Sequence, residues 1–135
     1  MAFIKNYIAF ASAVWGGPSG RVLIDVLGAD LSGAAFAWAF STGEGVEPVF
    51  TLTNAAAGSQ GISASYDATM VHPVSAMVLG GTRIIPQIDE ATLEGLTFGG
   101  AASIDLVHTF YETPVGGSKR VRCSGILTVK RGAPN

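Results

Sequence analysis

The sequence predicts an all-β fold, an immunoglobulin-like antiparallel β-sandwich of Greek-key kind, with one short helix near residues 89–96 and an N-terminal arm. Three observations lead there. Turn-forming clusters recur along the chain, at Gly16-Gly17-Pro18, Gly43 with Gly45, Gly80-Gly81, Gly99-Gly100 and Gly116-Gly117. The segments between them are short and either alternate in polarity or are rich in β-branched residues, the pattern of a sandwich or barrel. Residues 36–40 alternate three rings, Phe36, Trp38 and Phe40, with Ala37 and Ala39.

Each element follows in order. Residues 1–20 read as an arm or strand; Lys5 and Asn6 interrupt its apolar stretch too early for a signal segment, so an unprocessed arm is expected. Residues 21–26 are mostly apolar and are expected as a central strand. In residues 36–40 a strand puts the three rings on one face and the alanines on the other, whereas a helix would scatter the rings. The ring face is expected in the core, the alanine face close to another backbone or subunit. Residues 48–53 and 61–66 read as strands, and residues 71–87 as two extended pieces hinged at Gly80-Gly81. Asp89 can cap a helical turn that Gly95 stops. Residues 103–111 alternate, and residues 120–130 return after a hairpin at Gly116-Gly117. The domain is thus expected to span residues 21–131, with a fraying tail at 132–135. Its core should join the three rings to Leu23, Phe50, Ile62, Ile104, Leu106 and Leu127.

Composition bears on what the domain does. Only 18 of 135 residues are charged, 13%, while 48% are hydrophobic, and the mean hydropathy is +0.41. The charged share is about half the usual ~25%, and a chain of this size has much surface relative to core. Part of the apolar surface is therefore expected to be covered by other chains. Phe3, Ile4, Tyr7, Ile8, Phe10 and Trp15 are the candidate interface residues, because aromatic and apolar anchors dominate interfaces and an apolar arm can add a strand to a neighbour. Trp15, beside a Gly-Gly-Pro turn, is expected to be exposed, and Trp38 buried. The one basic cluster is Arg120, Arg122, Lys130 and Arg131. Arg120 and Arg122 would share a strand face, either solvated or set against a phosphate or carboxylate. No basic stripe points to nucleic acid, and no run of ~18 apolar residues points to a membrane-spanning helix.

The residues that carry chemistry are few. Cys123 is alone and, sharing a face with Val121, is expected as a small buried hydrophobe, with Arg122 pointing the opposite way. His72 and His108 lie far apart in sequence and are expected as packed or rim histidines rather than a metal pair. No G-x-S-x-G elbow is present, and the glycine clusters lack the lysine of a phosphate loop. Asp89, Glu90 and Glu94 fall in one exposed turn. No catalytic residue, metal site or cofactor is expected, and the chain is not expected to be an enzyme.

Three features together resemble a known family. They are Gly28-Ala29-Asp30-Leu31-Ser32-Gly33-Ala34-Ala35-Phe36, the acidic leucine-bearing turn at residues 89–96, and a hairpin with Asp105, Leu106 and Val107 on one strand, Gly116-Gly117 at the turn and residues 120–129 returning through Gly125. In this order they are similar to small β-sandwich domains of tailed-bacteriophage virions, the immunoglobulin-like N-terminal domains of baseplate upper proteins and tail-fibre adaptors. The resemblance covers residues 21–131 and has no chemical signature. It implies a structural subunit in the virion, assembled in the host cytoplasm, with its own copies and other virion proteins as partners. A carbohydrate- or receptor-binding module, with host-surface glycan as partner, is the alternative. Because the last strand is followed almost at once by Asn135, an adaptor, collar, decoration or small fibre protein is expected rather than a receptor-binding fibre.

Overall fold

A computed structural model describes residues 3–18, 20 and 22–131. The expected tail at 132–135, Arg21 at the start of the expected first sandwich strand, and the side chain of Phe3 lie outside the described residues. The strands are β1 (Phe3–Ile4), β2 (Tyr7–Phe10), β3 (Trp15–Gly16), β4 (Ile24–Leu27), β5 (Ala35–Ser41), β6 (Phe50–Thr53), β7 (Gly61–Asp67), β8 (Gly81–Ile88), β9 (Ser103–Thr113) and β10 (Arg120–Lys130), with one helix, α1 (Glu90–Glu94). The fold is an all-β sandwich. One sheet runs β1-β10-β9-β5-β6, with β2 also on β10; the other runs β3-β8-β4, with β7 also on β8.

Alternation in β5 and β9 builds the core. Phe36, Trp38 and Phe40 point inward, with Trp38 and Phe40 at 0% exposure. Across the sheet Trp38 is in register with Phe110 on β9 and Leu52 on β6. Their rings stack, Trp38 on Phe110 at 4.6 Å and Phe40 on Phe50 at 4.6 Å. Ile62, Ile84 and Ile88 close the core from the second sheet, with Leu93 of α1 beneath. Burying each such side chain stabilises the fold by roughly 1.5–3 kcal/mol before entropy is counted.

Several expectations are corrected. The segment at residues 21–26 is an edge, not a centre: β4 pairs only with β8 among the described strands, and Leu23 is 41% exposed. A continuous apolar run does not separate a central strand from an edge strand beside a groove. Phe50 and Ile104 pack against the core but are only partly buried. Of residues 71–87, only the second piece is a regular strand, β8; the first is a loop closed by a single Val71–Val78 bridge. Asp89 precedes α1 without a side-chain capping bond. Gln60, just before β7, instead ties down the start of the helix: its Oε1 accepts the Asp89 N–H at 2.8 Å and the Thr92 hydroxyl at 2.7 Å.

The arm joins its own sheet. β1 and β2 both run parallel to β10, with Phe3 opposite Cys123 and Tyr7 opposite Leu127; the other strand pairs among the described residues are antiparallel, and one isolated bridge, Asn54 to Ile62, is parallel. Lys5 and Asn6 link the two short strands past Gly125, whose φ is +154°. A Cβ at Gly125 would run into the Lys5 carbonyl, so glycine is what lets the two backbones meet. The chain then crosses to the second sheet, where Trp15 pairs with Ile88.

Candidate interaction surfaces

The candidate interface residues separate into two sets. Ile4 (78%), Ile8 (57%) and Phe10 (38%) are exposed. Tyr7 is half-buried and Trp15 is 5% exposed, which corrects the expected exposure of Trp15. The two rings meet edge to face at 5.3 Å, and Trp15 stands edge-on to Trp38 at 6.3 Å. The alternation along β2 turns Tyr7 and Ala9 in and Ile8 and Phe10 out. Burial pushes the Tyr7 phenol up to about 12, helped by the nearby Cys123 thiol. Trp15 Nε1 is buried without a hydrogen-bond acceptor among the described residues.

His108 fastens the arm from inside. It lies at 0% exposure on β9. Its Nδ1 accepts the Trp38 indole N–H at 3.0 Å, and its Nε2 meets the Lys5 carbonyl at 2.6 Å. Indole only donates and a carbonyl only accepts, so the ring is neutral with its proton on Nε2, which donates to Lys5. Burial pulls the His108 pKa below its usual 6.5, only partly countered by the Lys5 carbonyl. His72 is placed elsewhere, in the loop between β7 and β8, where its Nδ1 accepts the N–H groups of Val74 and Ser75, each at 3.1 Å. Among the described residues no three His, Cys, Asp or Glu side chains gather as metal ligands would.

At the other end of β10, a β-bulge between Val121 and Cys123 changes the alternation. Val121 is exposed and Cys123 is fully buried, so they do not share a face as expected. The extra residue, Arg122, instead joins Arg120 in holding the fully buried Glu112 carboxylate, Arg120 Nη2 donating at 3.1 Å and Arg122 Nε donating to the other oxygen. Of the two settings open to these arginines, the structure holds the carboxylate. Burial alone would raise the Glu112 pKa, but the Arg122 and Arg120 guanidiniums outweigh it and hold it below the usual 4.5. Burial also pushes the Cys123 thiol up to about 11, against the opposing pull of Lys5; a buried, protonated thiol is a poor nucleophile.

Two outer surfaces stand out. The first is the outside of the β10-β9-β5-β6 sheet, where Ala37, Ala39, Val107, Thr109, Ser124 and Ile126 make an uncharged floor. Against the loop at residues 43–48 this floor becomes a trough of about 830 Å³. The second is the loop at residues 68–79, which holds no Asp, Glu, Lys or Arg. It exposes Val74 (87%), Val78 (64%) and Met77 (61%). The loop is ordered by its own bonds: His72 N–H to the Met77 carbonyl, Ala76 N–H to the His72 carbonyl, and Leu79 and Gly80 N–H to the Met70 carbonyl. Sequence reasoning missed this surface by reading residues 71–79 as strand. The signal was there in the uncharged stretch around His72-Pro73.

Asp89, Glu90 and Glu94 do lie in one turn. Glu90, by hydrogen bonding and repulsion, pushes the exposed Glu94 carboxyl up, as two like charges at i and i+4 on a helix must. No helix among the described residues is long and apolar enough to cross a membrane. No protein-family model matches the chain, and no curated protein matches it.

Proposed function

We propose that this chain is a structural subunit of a bacteriophage or phage-like particle, a tail, baseplate, fibre-adaptor or decoration protein that works through contacts with its own copies and with other virion proteins. One observation carries the interface part of this reading: Val74, Met77 and Val78 stand exposed together on a loop held rigid by its own hydrogen bonds. Apolar side chains fixed in water in this way mark an interaction surface, and a preordered loop loses little entropy on docking. The uncharged stretch of outer sheet face formed by Ala37, Ala39, Val107, Thr109, Ser124 and Ile126 adds to it, since depletion of charge is the compositional mark of an interface core. The virion assignment rests on the family resemblance of residues 21–131, and localisation in the particle follows from it.

Sedimentation of the purified chain over a range of concentrations tests the interface reading. Self-association, weakened by Val74→Glu with Met77→Glu, is expected. Mass spectrometry of purified particles should then find the chain as a stoichiometric component. A strictly monomeric chain that is absent from particles overturns the proposal. The alternative, a glycan-binding module, has one feature in its favour, Tyr111 beside the trough with Asn6 and Glu44 on its walls; binding on a glycan array that Tyr111→Ala abolishes would establish it instead.

A further inference from the structure

The sandwich is open along the edge of β4. On one side lies the outer edge of β4, which pairs with β8 alone among the described strands. On the other lie Lys5, Tyr7 and Arg122, and the groove between holds about 430 Å³. Its charge is unbalanced. Asp25 lines the seam, but both its oxygens are taken by Arg83, at 2.8 and 2.9 Å. Glu112 is shared by two arginines. That leaves one surplus positive charge on the Arg120–Glu112–Arg122 group, and Lys5 is in no ion pair among the described residues. Exposed Leu23 adds an apolar lip.

The same molecule carries the opposite surface. In the loop joining β5 to β6, residues 44–49 are exposed without a break. They present Glu44 and Glu47 together with Val46 (49% exposed) and Val49 (47%). Neither glutamate is in an ion pair among the described residues. Acid and apolar groups thus face outward in the loop where base and apolar groups face outward in the seam.

We propose that the β5–β6 loop of one copy docks into the β4 seam of the next, with Glu44 and Glu47 against Lys5 and Arg122 and with Val46 and Val49 against Leu23 and β4. The inference rests on the assembly reading above and adds to it which surfaces meet. Loop and seam are different patches, so the contact is heterologous and head to tail. It generates a ring if the rotation closes and a filament if it does not. Because exposed charges set the fit, association should weaken as salt rises.

The test is a charge-reversal pair followed by sedimentation equilibrium. Lys5→Glu spoils the seam and keeps the loop; Glu44→Lys with Glu47→Lys spoils the loop and keeps the seam. Each variant alone should self-associate roughly tenfold more weakly than wild type. Mixed, they should associate more strongly than either does alone, because the intact loop meets the intact seam and the reversed loop meets the reversed seam with opposite charges again. Circular dichroism confirms that each is folded, and Lys5→Ala serves if Lys5→Glu is not. Wild-type association that neither variant changes, or variants that stay monomeric when mixed, overturns this docking while leaving the assembly reading standing. A wild-type monomer whose seam instead binds an acidic segment of another protein also overturns it. A wild-type chain that binds neither itself nor a particle removes both.

Discussion

Trp38 shows how much one side chain settles here. It is fully buried, stacks on Phe110 and Phe40, and donates its only polar hydrogen to His108. Trp38→Ala removes the ring, leaves a cavity and strands the His108 acceptor, and should cost about 3–5 kcal/mol in chemical denaturation. His108 itself makes stability depend on pH. The folded state keeps its pKa below 6.5, so between that value and the lowered one the unfolded chain holds more protons. Its contribution is complete above about pH 6.5 and is lost as pH falls through the lowered pKa. Glu112 adds a second acid-side loss, beginning below 4.5 for the same reason of sign. Thermal melts from neutral to acid pH should show the first slope in wild type and not in His108→Gln. Burial of Trp38 was legible in the sequence, because three rings at period two leave a strand no other choice. Its bond to His108 was not, since the partners are 70 positions apart and only sheet register joins them.

Among the elements, the arm departs most from what its sequence suggests. An apolar, sparsely charged arm suits strand addition to a neighbour, yet β1 and β2 zip onto β10 of their own chain and bury Ala9, Ala11 and Trp15. The decisive residue is Gly125, far from the arm in sequence. Gly125→Ala would force a Cβ into the Lys5 carbonyl at a φ that L-residues avoid. It should cost about 1–3 kcal/mol and raise amide hydrogen exchange first in residues 3–10. Removing the arm should therefore lower stability, not merely weaken association. The bulge in β10 is a similar case. Strict alternation would keep Arg120 and Arg122 on one face and turn Cys123 to the other; one extra residue lets Cys123 enter the core opposite Phe110 while both arginines still reach Glu112. Glu112→Ala should lie at the lower end of about 3–5 kcal/mol, since both arginines keep some contact with water. Bulges leave no dependable trace in polarity patterns, which is why Glu112 drew no notice beforehand.

At the scale of the whole molecule, the low charge content resolves into particular places. Much of the apolar composition is spent on a continuous core between the sheets; outside it, apolar groups stand exposed on the loop at 68–79, at Ile4, Ile8 and Phe10 of the arm, and at Leu23, Val46, Val49 and Val115. The three arm residues remain exposed, whereas Tyr7 and Trp15 pack into the core. Cys123 has the same global explanation: it is closed off by both sheet and arm, so a thiol reagent should label it only after unfolding, and faster in Gly125→Ala, where the arm is loosened. Labelling of the native wild type at the rate of a free thiol would show that the arm does not cover it.

The sequence by itself determined the class of fold, the ring-lined core and the poverty of charge, because period-two alternation, turn chemistry and composition are local properties. Tertiary structure decided which apolar residues remain outside, where the arm goes, what holds Glu112 and His108, and which basic and acidic side chains have no ion-pair partner among the described residues. Those depend on register, on a bulge and on a glycine at a close approach of two backbones, and each joins residues that only the folded chain brings together.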